Sequence, residues 1–292
     1  NMRFPLIFTP RFGIAVGGAL LASYGYSTSP ATALRNYGFL KSGATIQPHP
    51  DKEYKGGEDS LIVKEKMISV ADGVGGWAKK GVDVAKYSKE LMRLIGEEYD
   101  KDPTATPKEI LTKAHNQSTQ LGSSTVVVAI LDIEEEKLAT TLLGDSSYMI
   151  LRHGINPLDG TDWQKVYRSL EQQHRFNCPF QVGINKDHPY LGLDEIHPIK
   201  HNDIIIMGTD GIWDNAYDKE VIDVILNSTE GGNLTDPQKA SKEIAAIAFE
   251  HSHDKKFRSP FQINSEEAGR KKPHVGGKKD DISVIVSQIK LE

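Results

Sequence analysis

The 292-residue sequence has a single cysteine, Cys178. It can form no intrachain disulfide and no cysteine-rich zinc site. Nothing around Cys178 marks an activated thiol, so it reads as a small loop or core residue. Acidic residues are missing from the start of the chain: none precedes Asp51. That stretch carries Arg3, Arg11, Arg35 and Lys41 among Ser, Thr, Ala, Gly and Tyr. Basic, acid-free and Ser/Ala-containing is the composition of a mitochondrial transit peptide. Residues 1–45 are therefore read as a targeting or flexible segment, and the mitochondrial matrix is the expected compartment. A secretory signal peptide competes, because residues 12–21 are fairly apolar. A long apolar run is also lacking. Gly13, Gly17, Gly18 and Gly25 interrupt the stretch, which falls short of the roughly 20 apolar residues a membrane span needs. No stable span is expected. Nor is there an excess of positive charge: the formal net charge is -5, which argues against nucleic acid as a partner.

What remains has an ordinary soluble composition, 38% apolar and 26% charged, and is long enough to bury a sizeable core. Residues 46–292 read as one domain. Short β-branched runs predict strands at residues 61–63, 67–71, 124–131, 137–143, 147–152, 204–207 and 282–289. Val84, Tyr87, Leu91, Leu94 and Ile95 keep a helical period. Thr106-Pro-Lys-Glu109 has the form of a capping box with proline at the first helical position. Asp236-Pro237 opens a third helix, and residues 219–226 form a fourth. Paired strands with helices grouped elsewhere indicate an antiparallel α+β design. Residues 254–279 are polar, basic and without period, and read as a long loop. His251 and His253 read as a solvated pair at a helix end. No feature of the sequence sets an oligomeric state.

Acidic groups recur at strand boundaries: Glu58-Asp59, Asp72-Gly73, Asp145, Asp210-Gly211 with Asp214, and Asp280-Asp281. Each alone is an unremarkable turn or charge pair. Placed at one edge of a sheet, they can converge without being adjacent in sequence. Converging carboxylates repel one another and need cations. Oxygen donors without histidine or cysteine select magnesium or manganese over zinc or copper. Two such ions about 4 Å apart can share a water, lower its pKa and offset a phosphate dianion.

The joint pattern resembles the type 2C (PPM) family of metal-dependent protein phosphatases. The matching stretches run in family order from Gly57-Glu-Asp-Ser60 through Val70-Ala-Asp-Gly-Val-Gly-Gly-Trp77, Gly122-Ser-Ser-Thr125 and Leu143-Gly-Asp-Ser146 to Thr209-Asp-Gly-Ile-Trp-Asp214 and Asp280-Asp-Ile-Ser-Val-Ile285. Gly75-Gly76-Trp77 and Glu171-Gln-Gln-His-Arg-Phe-Asn177 are similar to its mitochondrial fungal and animal branch. The resemblance implies a four-layer αββα sandwich of two antiparallel sheets flanked by helices. It implies hydrolysis of phosphoserine and phosphothreonine in phosphoprotein substrates by a water activated between two divalent metals, Mg2+ or Mn2+, with room for a weaker third. By position, Asp72 would bridge both metals and the Gly73 carbonyl would bind one. Asp210 and Asp280 would bind the other, so that Asp72, Asp210 and Asp280 carry catalysis. Glu58 and Asp59 would act through intervening waters. Asp145, Asp210 and Asp214 would form the third site. Asp281, where asparagine is common, would orient its neighbours.

Two departures stand out. Many members carry histidine where this chain has Val74. Many also carry a phosphate-binding arginine shortly before the Glu-Asp pair, where this chain has Tyr54 and Lys55. Lys55, Lys278 and Lys279 are the candidate phosphate-binding replacements. Two other readings follow from these departures: an inactive relative that binds phosphoprotein, and a hydrolase of small phosphate esters. The helix over residues 87–95 and the loop at 177–180 are expected to flank the cleft.

Overall fold

Ile204, Ile205, Ile206 and Met207 are all fully buried, a run with no polar face. Antiparallel strands ordinarily leave one face to water and alternate. An unbroken apolar run means that both faces are covered, and the computed structural model shows how. It describes residues 37–154 and 162–292.

Ten strands form two five-stranded antiparallel sheets. They are β1 (Gly38–Gln47), β2 (Ser60–Val63), β3 (Met67–Ala71), β4 (Val126–Asp132), β5 (Lys137–Leu143), β6 (Ser147–His153), β7 (Trp163–Arg168), β8 (Leu193–Pro198), β9 (Ile204–Gly208) and β10 (Ile282–Leu291). One sheet runs β1-β10-β9-β6-β7 and the other β8-β5-β4-β3-β2. Because side chains alternate along a strand, each sheet feeds two hydrophobic layers. Ile205, Met207, Ile285 and Ile289 of one sheet meet Ile68, Val70, Val127 and Ala129 of the other in the central layer. Ile204, Ile206, Val284 and Val286 face outward and pack beneath helices α4 (Asp218–Asn227) and α5 (Pro237–His253), together with the short helix α3 (Asp210–Trp213). On the far side, Met67, Val126, Val128 and Ile130 pack against α1 (Ala85–Lys101) and α2 (Pro107–Gln117). The result is the expected αββα sandwich.

Local signals hold where they are strong. Thr106 Oγ1 accepts from the Glu109 N–H at 3.3 Å and Glu109 Oε2 accepts from the Thr106 N–H at 2.9 Å, a reciprocal cap. Asp236 caps α5 through the Lys239 N–H at 3.0 Å.

Three expectations are corrected. The domain begins before residue 46: β1 pairs with β10 at all ten positions, from Gly38 opposite Leu291 to Gln47 opposite Ile282. The targeting reading of the residues before Tyr37 lies outside the described residues. The run at 124–131 is broken at Thr125, which separates the bridge strand Ser123–Ser124 from β4. The stretch 254–279 is not all loop. It contains helix α6 (Pro260–Glu267), capped by Ser259 Oγ accepting from the Gln262 N–H at 3.1 Å. Among the described residues no helix is long and apolar enough to cross a membrane.

Candidate functional site

Antiparallel pairing decides where the carboxylates go. Ser60 lies opposite Ala71, Val126 opposite Leu143, and Gly208 opposite both Ser147 and Val284. The start of β2, the end of β3, the β5–β6 turn, the end of β9 and the start of β10 therefore share one end of the sandwich. Asp59, Asp72, Asp145, Asp210 and Asp280 are the residues just beyond those strand ends.

Asp72, Asp145 and Asp210 converge, each offering an oxygen within 4.8 Å of the others. Burial, then the charges of Asp210, Asp59, Asp280 and Asp145, pushes the Asp72 carboxyl well above the usual carboxylate range. Burial and then Asp281 do the same to Asp59, and burial and then Asp210 to Asp145. Asp59 Oδ2 accepts from Thr209 Oγ1 at 2.8 Å, and Asp145 Oδ2 from Gln173 Nε2 at 3.3 Å. The other oxygens, Asp59 Oδ1, Asp145 Oδ1 and Asp210 Oδ1, are buried without a hydrogen-bond partner. Buried polar atoms without partners are costly, and two of these oxygens, on Asp145 and Asp210, belong to the converging trio, which suits a cation. The donors are all oxygen, which fits Mg2+ or Mn2+.

Two glycines permit close approach. A Cβ on Gly73 would lie 2.7 Å from the Glu58 carbonyl oxygen, and one on Gly211 would lie 2.0 Å from that of Asp281. Any side chain at either position would separate the loops that carry the acidic groups. Glu58 is anchored further by its N–H donating to Asp281 Oδ2 at 3.0 Å and its carbonyl accepting from Ser88 on α1. Asp281 also accepts from the His49 N–H at 2.7 Å and from Lys52 Nζ at 3.0 Å. It is an organiser of the neighbouring chain, as expected.

The lysines are deployed differently from the sequence expectation. Lys55 Nζ sits 2.8 Å from Glu58 Oε1 and 3.1 Å from Asp83. Lys278 is 15% exposed and bridges Asp210, Asp214 at 2.7 Å and Asp280 at 3.1 Å. Burial works against its charge, but the three carboxylates outweigh it and hold the ammonium well above the usual lysine range. Burial nonetheless pushes Asp214 up to about 8, with the charges of Asp210 and Glu171 adding to it against the lowering pull of Lys278. Only Lys279 of the three is exposed.

Sequence reasoning missed Lys52, whose Nζ reaches Glu58 Oε2 at 2.7 Å. It also missed Thr209, Gln173 and Asn215. Asn215 clamps the Lys278 backbone, donating to its carbonyl and accepting from its N–H, both at 2.8 Å. Thr209 and Asn215 flank the Asp210–Asp214 motif, so adjacency was the available signal. Gln173 lay within the matching stretch 171–177 without a role assigned to it, and Lys52 carried no signal.

A cavity of about 360 Å3 opens beside Asp145, Asp210 and Asp214, walled by Phe176, Asn177 and Phe261. Of the two elements expected to flank the cleft, the loop at 177–180 reaches this cavity through Asn177, and the helix over residues 87–95 does not line it. Cys178 is half-buried in a short strand, Cys178–Pro179. His251 and His253 end α5 but are packed, not merely solvated: His251 stacks on Phe257 and bonds the Asn215 carbonyl at 2.9 Å.

A family model described as Protein phosphatase 2C matches residues 187–256. "Probable protein phosphatase 2C 80" of Arabidopsis thaliana is 36% identical over 91% of this chain and 63% of its own length. "Probable protein phosphatase 2C 55" of Arabidopsis thaliana is 38% identical over 86% of this chain and 52% of its length. The chain thus spans just over half to under two thirds of these two relatives. The human "Protein phosphatase PTC7 homolog" is 32% identical over 95% of this chain and 90% of its length. Among solved structures, the photosystem II phosphatase PBCP superposes with a TM-score of 0.76 at 32% identity, covering 86% of this chain and 99% of that one. The catalytic domain of the serine/threonine phosphatase PstP, solved with two manganese ions, shares the fold at 12% identity, with a TM-score of 0.59 over 87% of this chain and 100% of that one. Sequence and fold together establish that the chain belongs to the protein phosphatase 2C family.

Proposed function

We propose that this chain is a protein serine/threonine phosphatase that works with two divalent cations, Mg2+ or Mn2+. The observation that carries the reading is the convergence of Asp72, Asp145 and Asp210 with buried, unpartnered carboxylate oxygens. Asp72, Asp210, Asp280 and the Gly73 carbonyl are the groups to hold the ions. Glu58 and Asp59 stand beside them, and Asp145 and Asp214 are donors for a weaker third. Bound there, the cations supply a lowered pKa for water and positive charge against the phosphoryl oxygens.

The chain's own residues fix the geometry. Thr209 holds Asp59, Asp281 holds the Glu58 backbone, and Asn215 holds Lys278. Lys278 lowers the net negative charge that a phosphate dianion meets, through the carboxylates it bridges. Val74, which stands where many relatives carry histidine, has no proton to give a leaving alkoxide. Its N–H donates to the Ser123 carbonyl at 3.0 Å, which fixes the loop. The leaving group then takes its proton from water or from another group.

The test is phosphate release from a phosphothreonine peptide by the purified protein in Mn2+, Mg2+ or chelator, beside Asp72→Asn. Turnover should need the metal and fall by about two to three orders of magnitude in the variant, as for loss of a charge-stabilising group. Equal turnover in the variant would refute the assignment. Turnover of small phosphate esters but no peptide would favour the small-ester hydrolase, and folded protein with no turnover at all would favour a phosphoprotein-binding relative.

Mitochondrial phosphoproteins are the substrates we infer. The support is the acid-free, basic stretch before Asp51 and the similarity of residues 75–77 and 171–177 to the mitochondrial branch. Fusion of residues 1–37, which end before β1, to a reporter should direct it to mitochondria, and a cytosolic reporter would refute this.

A further inference from the structure

The acidic cavity has a neighbour of opposite charge. A second cavity, of about 500 Å3, shares Phe176, Asn177 and Phe261 with it as a common wall. Its other side is lined by Arg270, Lys272 and His274, with no carboxylate among the lining residues. The two cavities are close. Phe261 lies 5.0 Å from Lys278 Nζ, which itself bonds Asp214 at 2.7 Å. The wall is built, not incidental. The Phe176 and Phe261 rings pack at 5.0 Å, His274 meets Phe261 edge-on at 5.0 Å, and Arg270 sits 5.8 Å from the Phe176 ring.

The charge here is unspent. Segment 254–279 carries eight lysines and arginines against three acidic residues. Arg258 is paired with Glu266 at 2.7 Å and Lys278 is consumed by the carboxylates. Arg270, Lys271 and Lys272 are exposed, and no carboxylate lies within ion-pair distance of them among the described residues. On a chain of net charge -5, free cations gathered at the rim of the reaction cavity set up a local field of one sign.

We propose that this groove receives the acidic flank of a phosphoprotein substrate, so that sites next to Asp, Glu or a second phosphate are preferred. The inference rests on the phosphatase reading above. The phosphorylated side chain enters the acidic cavity, where the cations balance it. The adjoining chain crosses the Phe176–Phe261 wall, and its carboxylates meet Arg270 and Lys272. Arginine suits this because its fork can take a carboxylate or phosphate in two parallel hydrogen bonds.

The test uses three fluorescent phosphothreonine peptides of equal length with acidic, alanine or lysine flanks. Phosphate release and anisotropy are both read, for the wild type and for R270E/K272E. These side chains are exposed, so the double variant should fold. p-Nitrophenyl phosphate, which has no flank, controls for the chemistry. The wild type should show the lowest KM on the acidic peptide. The double variant should raise that KM by roughly three- to thirty-fold, the range for reversing a few exposed charge pairs. Its kcat and its rate on p-nitrophenyl phosphate should be unchanged. Equal KM across flanks, or no response to charge reversal, would overturn the proposal. Release from no peptide would instead count against the phosphatase reading, and the anisotropy would still decide the groove. Binding to anionic phospholipid vesicles that is lost in R270E/K272E, with peptide binding indifferent to it, would assign the patch to a membrane surface and overturn the proposal too.

Discussion

The middle of the sandwich and its acidic end are built on opposite physical terms from the same strands. Along β9, Ile204 to Met207 have every apolar atom covered from both sides. Immediately beyond it, Asp210 faces Asp72 and Asp145 within 4.8 Å, and each of these carboxyls is pushed up by burial and by its neighbours' charge. The first region stabilises the fold and has no charge for a metal ion to balance. The second costs stability unless cations fill it. The fold can bear that cost because the central layer fixes the strand ends whether or not their charges are balanced.

Substitutions at the two regions should separate these roles. The largest effect is expected for Lys278→Met. Removing one partner of a buried charge network costs about 3–5 kcal/mol, and here it strips the ammonium from three carboxylates. Denaturant unfolding in chelator should show that loss, and Mn2+ should recover more of it than Mn2+ adds to the wild type. Equal metal responses would mean that Lys278 is not the counter-charge of this cluster.

Next comes the core. Ile206→Ala should cost about 2–5 kcal/mol in chelator and in Mn2+ alike, since Ile206 is fully buried in the layer under the helices. A loss that Mn2+ repaired would blur the division between the two regions.

Thr209→Val tests the joint between them. Thr209 Oγ1 donates to Asp59 at 2.8 Å and accepts from the Ser283 N–H at 3.0 Å. Leaving both groups unsatisfied should cost about 1–3 kcal/mol and weaken metal binding as well, which calorimetric Mn2+ titration would show. The smallest effect belongs to Thr106→Ala, remote from the carboxylates. Loss of the cap should cost about 1 kcal/mol in urea unfolding and leave phosphate release unchanged.

The sequence made the middle legible because covered strands need long β-branched runs, and those runs are β3, β4, β6, β9 and β10. Four of the carboxylates were legible for a related reason: Asp72, Asp145, Asp210 and Asp280 follow or precede such a run. The edges were not. β1 reads GFLKSGATIQ, with little to mark a strand, and is held by its pairing with β10. β7 and β8 are half-exposed edges whose polar residues hide the alternation. Helix α6 carried a Ser-Pro start signal but only Phe261 and Ser265 are buried along it, so no apolar period announced it. The lysines were the least readable. Lys278 and Lys279 are neighbours of the same type, yet one is enclosed by three carboxylates and the other is exposed. That difference comes from Asn215, 63 residues away in sequence, which fixes the Lys278 backbone.

The central claim is that the acidic end is completed by divalent cations, and thermal unfolding with and without Mn2+ tests it most directly. At about 100 times the dissociation constant, one bound ion adds about 2.7 kcal/mol, which for a domain of this size is a rise of about 5–10 °C in Tm. The wild type should show at least that rise, reversed by chelator, and Asp210→Asn should lose most of it while unfolding in chelator at or above the wild-type temperature. A wild-type Tm indifferent to Mn2+ and Mg2+ would contradict the account.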